Sequence, residues 1–248
     1  MAKSRNLVTI KILQDIGVNY AIDYAGKLGI NSELSRDLSI ALGSSGVSLL
    51  ELTKAYSVFA NQGDLIEPIF ILKVLDRDGN LLEEADTERR RVIDVSTAYL
   101  MTSMMESVVN SGTGRRVKVL GRPVAGKTGT SNDLYDAWFM GFTTQYVTGT
   151  WVGLDEEAPL GRGETGGRTA SPIWLNFMQQ VQADLPVETF NPPENIEFVK
   201  IDAESGLLPI PESKETVLES FKEGTAPTRY AKRPGDVTEA ADFFKKDL

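Results

Sequence analysis

The sequence contains no cysteine and no histidine among its 248 residues. Without cysteine, the chain cannot form disulfides, thiolate nucleophiles or zinc–thiolate sites. Without histidine, it lacks the usual general base of a Ser-His-Asp triad and the commonest metal ligand. The base of any nucleophilic mechanism in this chain must therefore be Lys, Asp, Glu or Tyr.

Long apolar runs and basic runs are also missing. No stretch of about 18 apolar residues occurs, so no membrane span is predicted, and the N-terminus lacks the apolar core of a signal peptide. Acidic residues outnumber basic ones by 35 to 26, for a formal net charge of −9. Because an acidic chain repels a phosphate backbone, nucleic acid is not an expected partner. An amphipathic pattern begins almost at Met1, which leads us to expect that the chain starts inside a larger protein.

Apolar spacing and capping residues predict the secondary structure. Helices are expected at 4–16 and 20–28, after a capping box of Ser48 and Glu51, at 94–110, and from Ser171 with Pro172 in its first position. Strands are expected around an Asp78-Gly79 turn and at 124–130, 136–143, 146–154 and 196–201. These patterns predict an α/β fold of the α+β type, with an antiparallel sheet flanked by helices. We expect a domain over residues 1–185 and a Pro-rich appendage over 186–248 that packs on it.

The stretch GRPVAGKTGT, residues 121–130, fits two different sites. Residues 121–128 match the G-x-x-x-x-G-K-T phosphate loop, which requires a long helix directly after its Lys-Thr. Here the turn-forming sequence GTSNDLYD follows, and the next long pattern is a strand. A nucleotide-binding protein is therefore the disfavoured alternative from a different class.

The second interpretation places Lys127-Thr128-Gly129 on a strand that forms one wall of an acyltransferase site. Alternate side chains share a face of a strand, so Lys127 lies with Gly129 and Thr128 with Thr130. Glycine leaves room for a substrate backbone, and an edge strand offers its amides and carbonyls to an extended peptide. The lysine charge can hold a carboxylate or activate a neighbouring hydroxyl.

The penicillin-recognising serine enzymes carry three motifs, S-x-x-K, S-x-N and K-T-G. Two of them occur here: Ser4-Arg5-Asn6 at the start of the chain and Lys127-Thr128-Gly129. The chain resembles the transpeptidase domain of class A, bifunctional penicillin-binding proteins over nearly its whole length. The resemblance is carried by both motifs and by the stretches LSIALGSSGVSLLELTKAYSVFANQG, VAGKTGTSNDLYDAWFMGFT, TGGRTASPIW and FKEGTAPT.

The resemblance implies a role for each motif residue. Ser4 would relay a proton to the leaving amine, Lys127 would hold Ser4 and supply positive charge, and Asn6 would bind the substrate amide carbonyl. Thr128 would be mainly structural, and Gly129 would lie against the substrate backbone. Thr130 would hold the terminal carboxylate, and its backbone N–H would form half of the oxyanion hole. Alone, Ser4-Arg5-Asn6 would more often be just a helix cap.

The resemblance also implies partners and a location. The substrates would be peptidoglycan stem peptides ending in D-Ala-D-Ala, the inhibitors β-lactams, and we expect neither a metal nor another cofactor. The parent protein would carry a membrane anchor and an upstream glycosyltransferase domain, and would act in the periplasm or on the extracytoplasmic face of the bacterial inner membrane.

One motif of the family is missing. No serine in the chain has a lysine three positions later, so the S-x-x-K motif that carries the nucleophile is absent. We therefore expect no acylation by this chain alone, unless an upstream piece is supplied as a separate chain. A D,D-carboxypeptidase, a β-lactamase-like hydrolase and a non-catalytic binding module with the same fold are the remaining alternatives.

Overall fold

Residues 1–156 and 158–233 are described in a computed structural model of the chain. The helices are α1 (Asn6–Ile16), α2 (Val18–Lys27), α3 (Leu49–Ala60), α4 (Val95–Ser111) and α5 (Ser171–Val181), joined by short 3₁₀ turns at Leu38–Leu42, Arg115–Leu120 and Asn132–Leu134. None of the helices in these two ranges is long and apolar enough to cross a membrane.

Each pair of strands among the described residues is antiparallel. They are β1 (Asp64–Ile66), β2 (Lys73–Leu75), β3 (Leu81–Glu84), β4 (Arg89–Arg91), β5 (Ala125–Thr130), β6 (Ala137–Phe142), β7 (Val147–Val152), β8 (Ile196–Asp202) and β9 (Thr216–Lys222). The main sheet has the order β5-β6-β7, and β1 pairs with β4, β2 with β3, and β8 with β9. The mixture of helices and antiparallel sheets is the α/β fold expected from the sequence.

The chain divides into two units, Met1–Asn191 and a second unit that begins at Pro192. In the second unit, β8 and β9 form an antiparallel pair from Ile196↔Lys222 to Asp202↔Thr216. The boundary after residue 185 and the packing of the Pro-rich segment on the domain stay predictions, and most of the expected loose end of that segment falls outside the described residues.

The first unit builds its core on both faces of the main sheet. On one face, Phe139 of β6 meets Trp174 of α5 edge to face, with ring centroids 5.1 Å apart. Both side chains are fully buried. On the other face, Phe142 and Ala125 pack with Met105 of α4. Because helices cover both faces, a ligand strand would add at an edge of this sheet, and β5 is one of its two edge strands.

The structure tests the two predicted helix N-caps, Ser48 for α3 and Ser171 for α5. The Ser48–Glu51 capping box is confirmed, since each side chain bonds the other residue's backbone N–H. The prediction that Ser171 caps α5 is wrong: a π-helical turn at Gly166–Ala170 runs directly into α5, and the Ser171 hydroxyl donates to the Gly167 carbonyl. The helix continues backwards past Ser171, so its amides need no side-chain cap there.

Candidate active site

The candidate site lies along β5, at the edge of the main sheet. Lys127, in the middle of this strand, is half-buried, and its amine makes two hydrogen bonds to uncharged acceptors. Nζ donates to the Ser4 hydroxyl oxygen at 2.8 Å and to the Thr128 carbonyl oxygen at 2.7 Å. Burial lowers the pKa of the Lys127 amine below its usual range. A lowered pKa increases the fraction of neutral amine at a given pH, which suits a group that both donates and accepts a proton.

Ser4 comes to Lys127 from a tight turn at the start of the chain. The Ser4 amide donates to the Met1 carbonyl at 3.0 Å, and Ser4 itself has φ of 47°, in the left-handed region that is uncommon for residues other than glycine. The N-cap of α1 is Arg5, with no side-chain cap. The interpretation of Ser4 as a helix cap is therefore wrong, because its hydroxyl bonds Lys127 instead.

The direction of the Lys127–Ser4 hydrogen bond leaves the serine free to donate. A serine hydroxyl has one O–H donor and two acceptor lone pairs. One lone pair of Ser4 receives the Lys127 N–H, so the hydroxyl hydrogen can point toward a ligand. The pair can thus pass a proton outward through Ser4 and replace it from the lysine.

Thr130 has the same arrangement at the end of β5. The Gly166 amide donates to the Thr130 hydroxyl oxygen at 3.1 Å, so the exposed Thr130 side chain keeps its own O–H free to bind an anion. Gly166 lies so close that a Cβ there would overlap the carbonyl oxygens of Gly129 and Trp138. The π-helical turn is therefore held tightly against the strand that carries Lys127.

Thr128 faces away from Lys127, as strand alternation predicts. Its hydroxyl lies 2.6 Å from the hydroxyl of Thr113, in the loop that follows α4. Gly129 lies opposite Trp138 in the strand register, and a Cβ at Gly129 would meet the Trp138 side chain at 3.0 Å. The structure thus brings Ser4, Lys127, Thr128 and Thr130 into one connected region.

Asn6 is the predicted site residue with the weakest link to the others. It is the exposed first residue of α1, two positions after Ser4, and no hydrogen bond joins it to Lys127 or Thr130 within the part of the chain that the structure describes. Sequence reasoning missed Thr113 and Gly166. The signal available in the sequence was the glycine pairs at 112–114 and 166–167, since glycine permits close backbone approach.

The phosphate-loop alternative fails on the same geometry. Lys127-Thr128 lies inside a strand that continues to Thr130, and the next regular elements are a 3₁₀ turn and β6. A phosphate loop needs a helix whose N-terminal amides point at the anion directly after this lysine. Within the described residues, no cluster of acidic side chains that could hold a metal ion occurs.

Comparison with known proteins agrees with the fold. A family described as penicillin binding protein transpeptidase domain matches residues 1–179, and one described as penicillin-binding protein 1A, C-terminal domain, matches residues 192–234. The crystal structure of penicillin-binding protein 1A from Haemophilus influenzae superimposes with a TM-score of 0.86 at 30% identity, over 94% of this chain and 40% of that chain.

Curated relatives give the same result. The chain is 36% identical to penicillin-binding protein 1A of Pseudomonas aeruginosa, over 94% of this chain and 35% of that protein. It is 41% identical to penicillin-binding protein 1A of Aquifex aeolicus, over 92% of this chain and 31% of that protein. The fold is thus that of the penicillin-binding proteins. The chain belongs to the penicillin-binding protein transpeptidase domain family, and it spans about a third of the length of these relatives.

Proposed function

We propose that this chain forms two walls of the cleft of a serine-type peptidoglycan D,D-transpeptidase, the class of enzyme that β-lactams acylate. The observation that carries the proposal is the hydrogen bond from Lys127 to Ser4, two residues from different motifs that meet beside the free edge of β5. Membership of the penicillin-binding transpeptidase family supports the same substrate class.

The nucleophile would be the serine of an S-x-x-K segment upstream of Ser4, as in the family pattern. Its hydroxyl would give its proton to the lysine of the same segment, and its oxygen would attack the carbonyl of the penultimate D-alanine of a stem peptide, forming an ester as the C–N bond to the terminal D-alanine breaks. The leaving nitrogen needs a proton. Ser4 would donate it and recover one from Lys127, so that this pair does the work that histidine does in other serine enzymes.

Acyl transfer would follow by the reverse route. An amine from a neighbouring peptide would attack the ester and lose a proton to Ser4 and Lys127, and the departing serine oxygen would take its proton back from the lysine of its own S-x-x-K segment. Water in place of the amine would give a carboxypeptidase or a β-lactamase. The Pro-rich segment after the domain and the spacing between the motifs favour the transpeptidase over these hydrolases.

Substrate binding would use the edge of β5. An extended peptide can pair with the strand's free backbone groups, with Gly129 leaving room for it. The free O–H of Thr130 would bind the terminal carboxylate of the stem peptide or the carboxylate of a β-lactam. The Thr130 N–H would contribute to the oxyanion hole, where losing one donor costs about 2.7–4 kcal/mol. Asn6 would bind the substrate amide.

The remaining expectations concern the whole protein. We propose a membrane-anchored parent with an upstream glycosyltransferase domain, acting on the extracytoplasmic face of the inner membrane. The chain alone, which lacks an S-x-x-K motif, would not be acylated.

Covalent labelling with a fluorescent penicillin tests the proposal. The chain extended upstream through its S-x-x-K segment should become labelled, and Lys127→Ala should abolish the label, whereas Lys118→Ala, at an exposed lysine, should not. The chain alone should give no acyl adduct by mass spectrometry. An extended protein that is never labelled but binds ATP tightly would refute the proposal in favour of the nucleotide-binding alternative.

A further inference from the structure

The loop of residues 112–114 follows α4 directly. It contacts the N-terminal turn that carries Ser4, strand β5 and the π-helical turn at Gly166–Ala170. We propose that this loop, through Gly112 and Thr113, is the positioning element that sets the distance between the Ser4 hydroxyl and the Lys127 amine. The catalytic importance of this distance rests on the proposed function, but the distance itself can be measured without catalysis.

The loop holds the serine side of the pair by its backbone. The Thr113 amide donates to the Ala2 carbonyl at 3.2 Å. Ala2 lies inside the turn that the Ser4 amide closes on Met1. Because Ser4 adopts an uncommon left-handed conformation, its orientation depends on the contacts that hold this turn. The bond to Thr113 is such a contact, and it is made two residues away from the reacting hydroxyl.

The loop holds the lysine side of the pair by a side chain. The Thr113 and Thr128 hydroxyls lie 2.6 Å apart, and Thr128 is the neighbour of Lys127 whose carbonyl also accepts from Nζ. The contacts therefore close into a ring that runs from Ser4 through Ala2 to Thr113, across to Thr128, and back through Lys127 to Ser4. A closed ring fixes a distance better than either contact alone, since each one limits the movement of the other.

Glycine at position 112 is needed for close approach. Its φ of −111° is open to any residue, so backbone conformation does not require glycine there. A Cβ at this position would overlap the Ala2 carbonyl oxygen and lie 2.8 Å from the Val108 carbonyl oxygen. Gly112→Ala should therefore push the Ser4 turn away from β5 by steric contact alone. On the other side of the loop, a Cβ at Gly167 would lie 2.8 Å from the Thr113 carbonyl oxygen, so the π-helical turn also abuts this loop.

Nuclear Overhauser effects (NOEs) between the Lys127 ε-methylene and the Ser4 β-methylene measure the distance directly in this chain. We expect the NOE to fall severalfold in Gly112→Ala and in Thr113→Val, with Thr113→Ser restoring it. Gly46→Ala is the matched control, because a Cβ there meets no atom within 4 Å. Thr113 is exposed, so its substitution should leave the melting temperature nearly unchanged. The titration of Lys127, followed by its side-chain chemical shift, should also move toward that of an ordinary lysine in the two variants.

Wild-type NOE intensity and Lys127 titration in both Gly112→Ala and Thr113→Val would overturn the positioning role. In the upstream-extended protein, the same two variants should lose about 10- to 100-fold in the rate of penicillin acylation, the size expected for a displacement of about 1 Å. Failure of the proposed function would look different: the wild-type extended protein itself would not react, while the NOE changes in the variants would persist.

Discussion

The Lys127 amine and the Ser4 hydroxyl lie 2.8 Å apart although 123 positions separate them in the chain. Neither residue is unusual by itself, since a half-buried lysine needs hydrogen-bond acceptors and a serine near a helix is common. The direction of the hydrogen bond is what suits the pair to proton transfer, because the Ser4 oxygen accepts from Lys127 and the Ser4 O–H remains available to donate to a ligand. Thr130 repeats this arrangement with the Gly166 amide as its donor. Two hydroxyls along one strand edge are thus set to donate outward.

Replacing Thr130 by valine should weaken carboxylate recognition. A hydrogen bond to a charged group contributes about 1.5–3 kcal/mol, so the second-order rate of penicillin acylation in the upstream-extended protein should fall roughly 10- to 100-fold. Thr130→Ser should keep most of the rate, because it keeps the hydroxyl. Thr225→Val, at an exposed threonine of the second unit, is the control. Equal rates for Thr130→Val and wild type would show that the carboxylate is bound elsewhere.

Replacing Trp174 by alanine should destabilise the first unit strongly. Trp174 is fully buried on α5, contacts Phe139, and donates from its indole N–H to the Thr148 carbonyl at 3.0 Å. Truncating a buried tryptophan costs about 3–5 kcal/mol in the free energy of unfolding. Phe177, on the same helix but 50% exposed, is the matched control, and Phe177→Ala should cost only about 0.5 kcal/mol. Urea unfolding followed by tyrosine and tryptophan fluorescence or by circular dichroism separates the two, and comparable losses would contradict the assigned core.

Glu106 and Glu51 should affect the pH dependence of the free energy of unfolding in opposite directions, because the fold raises the pKa of Glu106 and lowers that of Glu51. Burial in α4 raises the pKa of Glu106 to about 7, from an ordinary 4.5. The folded state then holds a proton that the unfolded state releases, so this group lowers stability progressively as the pH rises from about 4.5 to 7. Glu106→Gln should remove that loss and raise the urea midpoint at pH 8.

Glu51 is the contrasting case. The hydroxyl of Ser32 and the amide of Asn31 lower the pKa of Glu51 to about 2. Its contribution to stability is present above about pH 4.5 and is lost as the pH falls toward 2. Glu51→Gln should therefore lower the urea midpoint at pH 7 and flatten the acid limb. A pH dependence of stability that neither substitution changes would show that other groups control it.

Sequence patterns predicted the elements whose signals are local. The Ser48–Glu51 capping box, the Asp78-Gly79 hairpin, the helix starting after Asp94 and the three strands of the main sheet are all present, because each depends on neighbouring residues. The α4 N-cap is Asp94, which accepts from the Thr97 amide at 2.9 Å.

Elements that depend on distant partners were harder to predict. Strand β4 consists of three exposed arginines; its backbone pairs with β1, and the Arg91 guanidinium also donates to the Asp64 carboxylate across this pair. Strand β9 lies in a segment whose prolines obscured its pattern, and it is ordered by pairing with β8. The same limit applies to the site. The family resemblance predicted that Lys127 would bond Ser4, and this hydrogen bond is present, but the contacts of Thr113 and Gly166 arise from tertiary packing that no local pattern records.

Release of D-alanine from a stem pentapeptide by the upstream-extended protein, with an acceptor amine present, tests the central claim most directly. We predict that the wild-type protein releases D-alanine and forms the cross-linked amide. Lys127→Ala should lose roughly 10²- to 10⁴-fold in rate, the size of a general acid–base contribution, and Lys118→Ala should not. Release by Lys127→Ala at the wild-type rate, or hydrolysed peptide as the sole product in the presence of the amine, would contradict a transpeptidase that works through the Ser4–Lys127 pair.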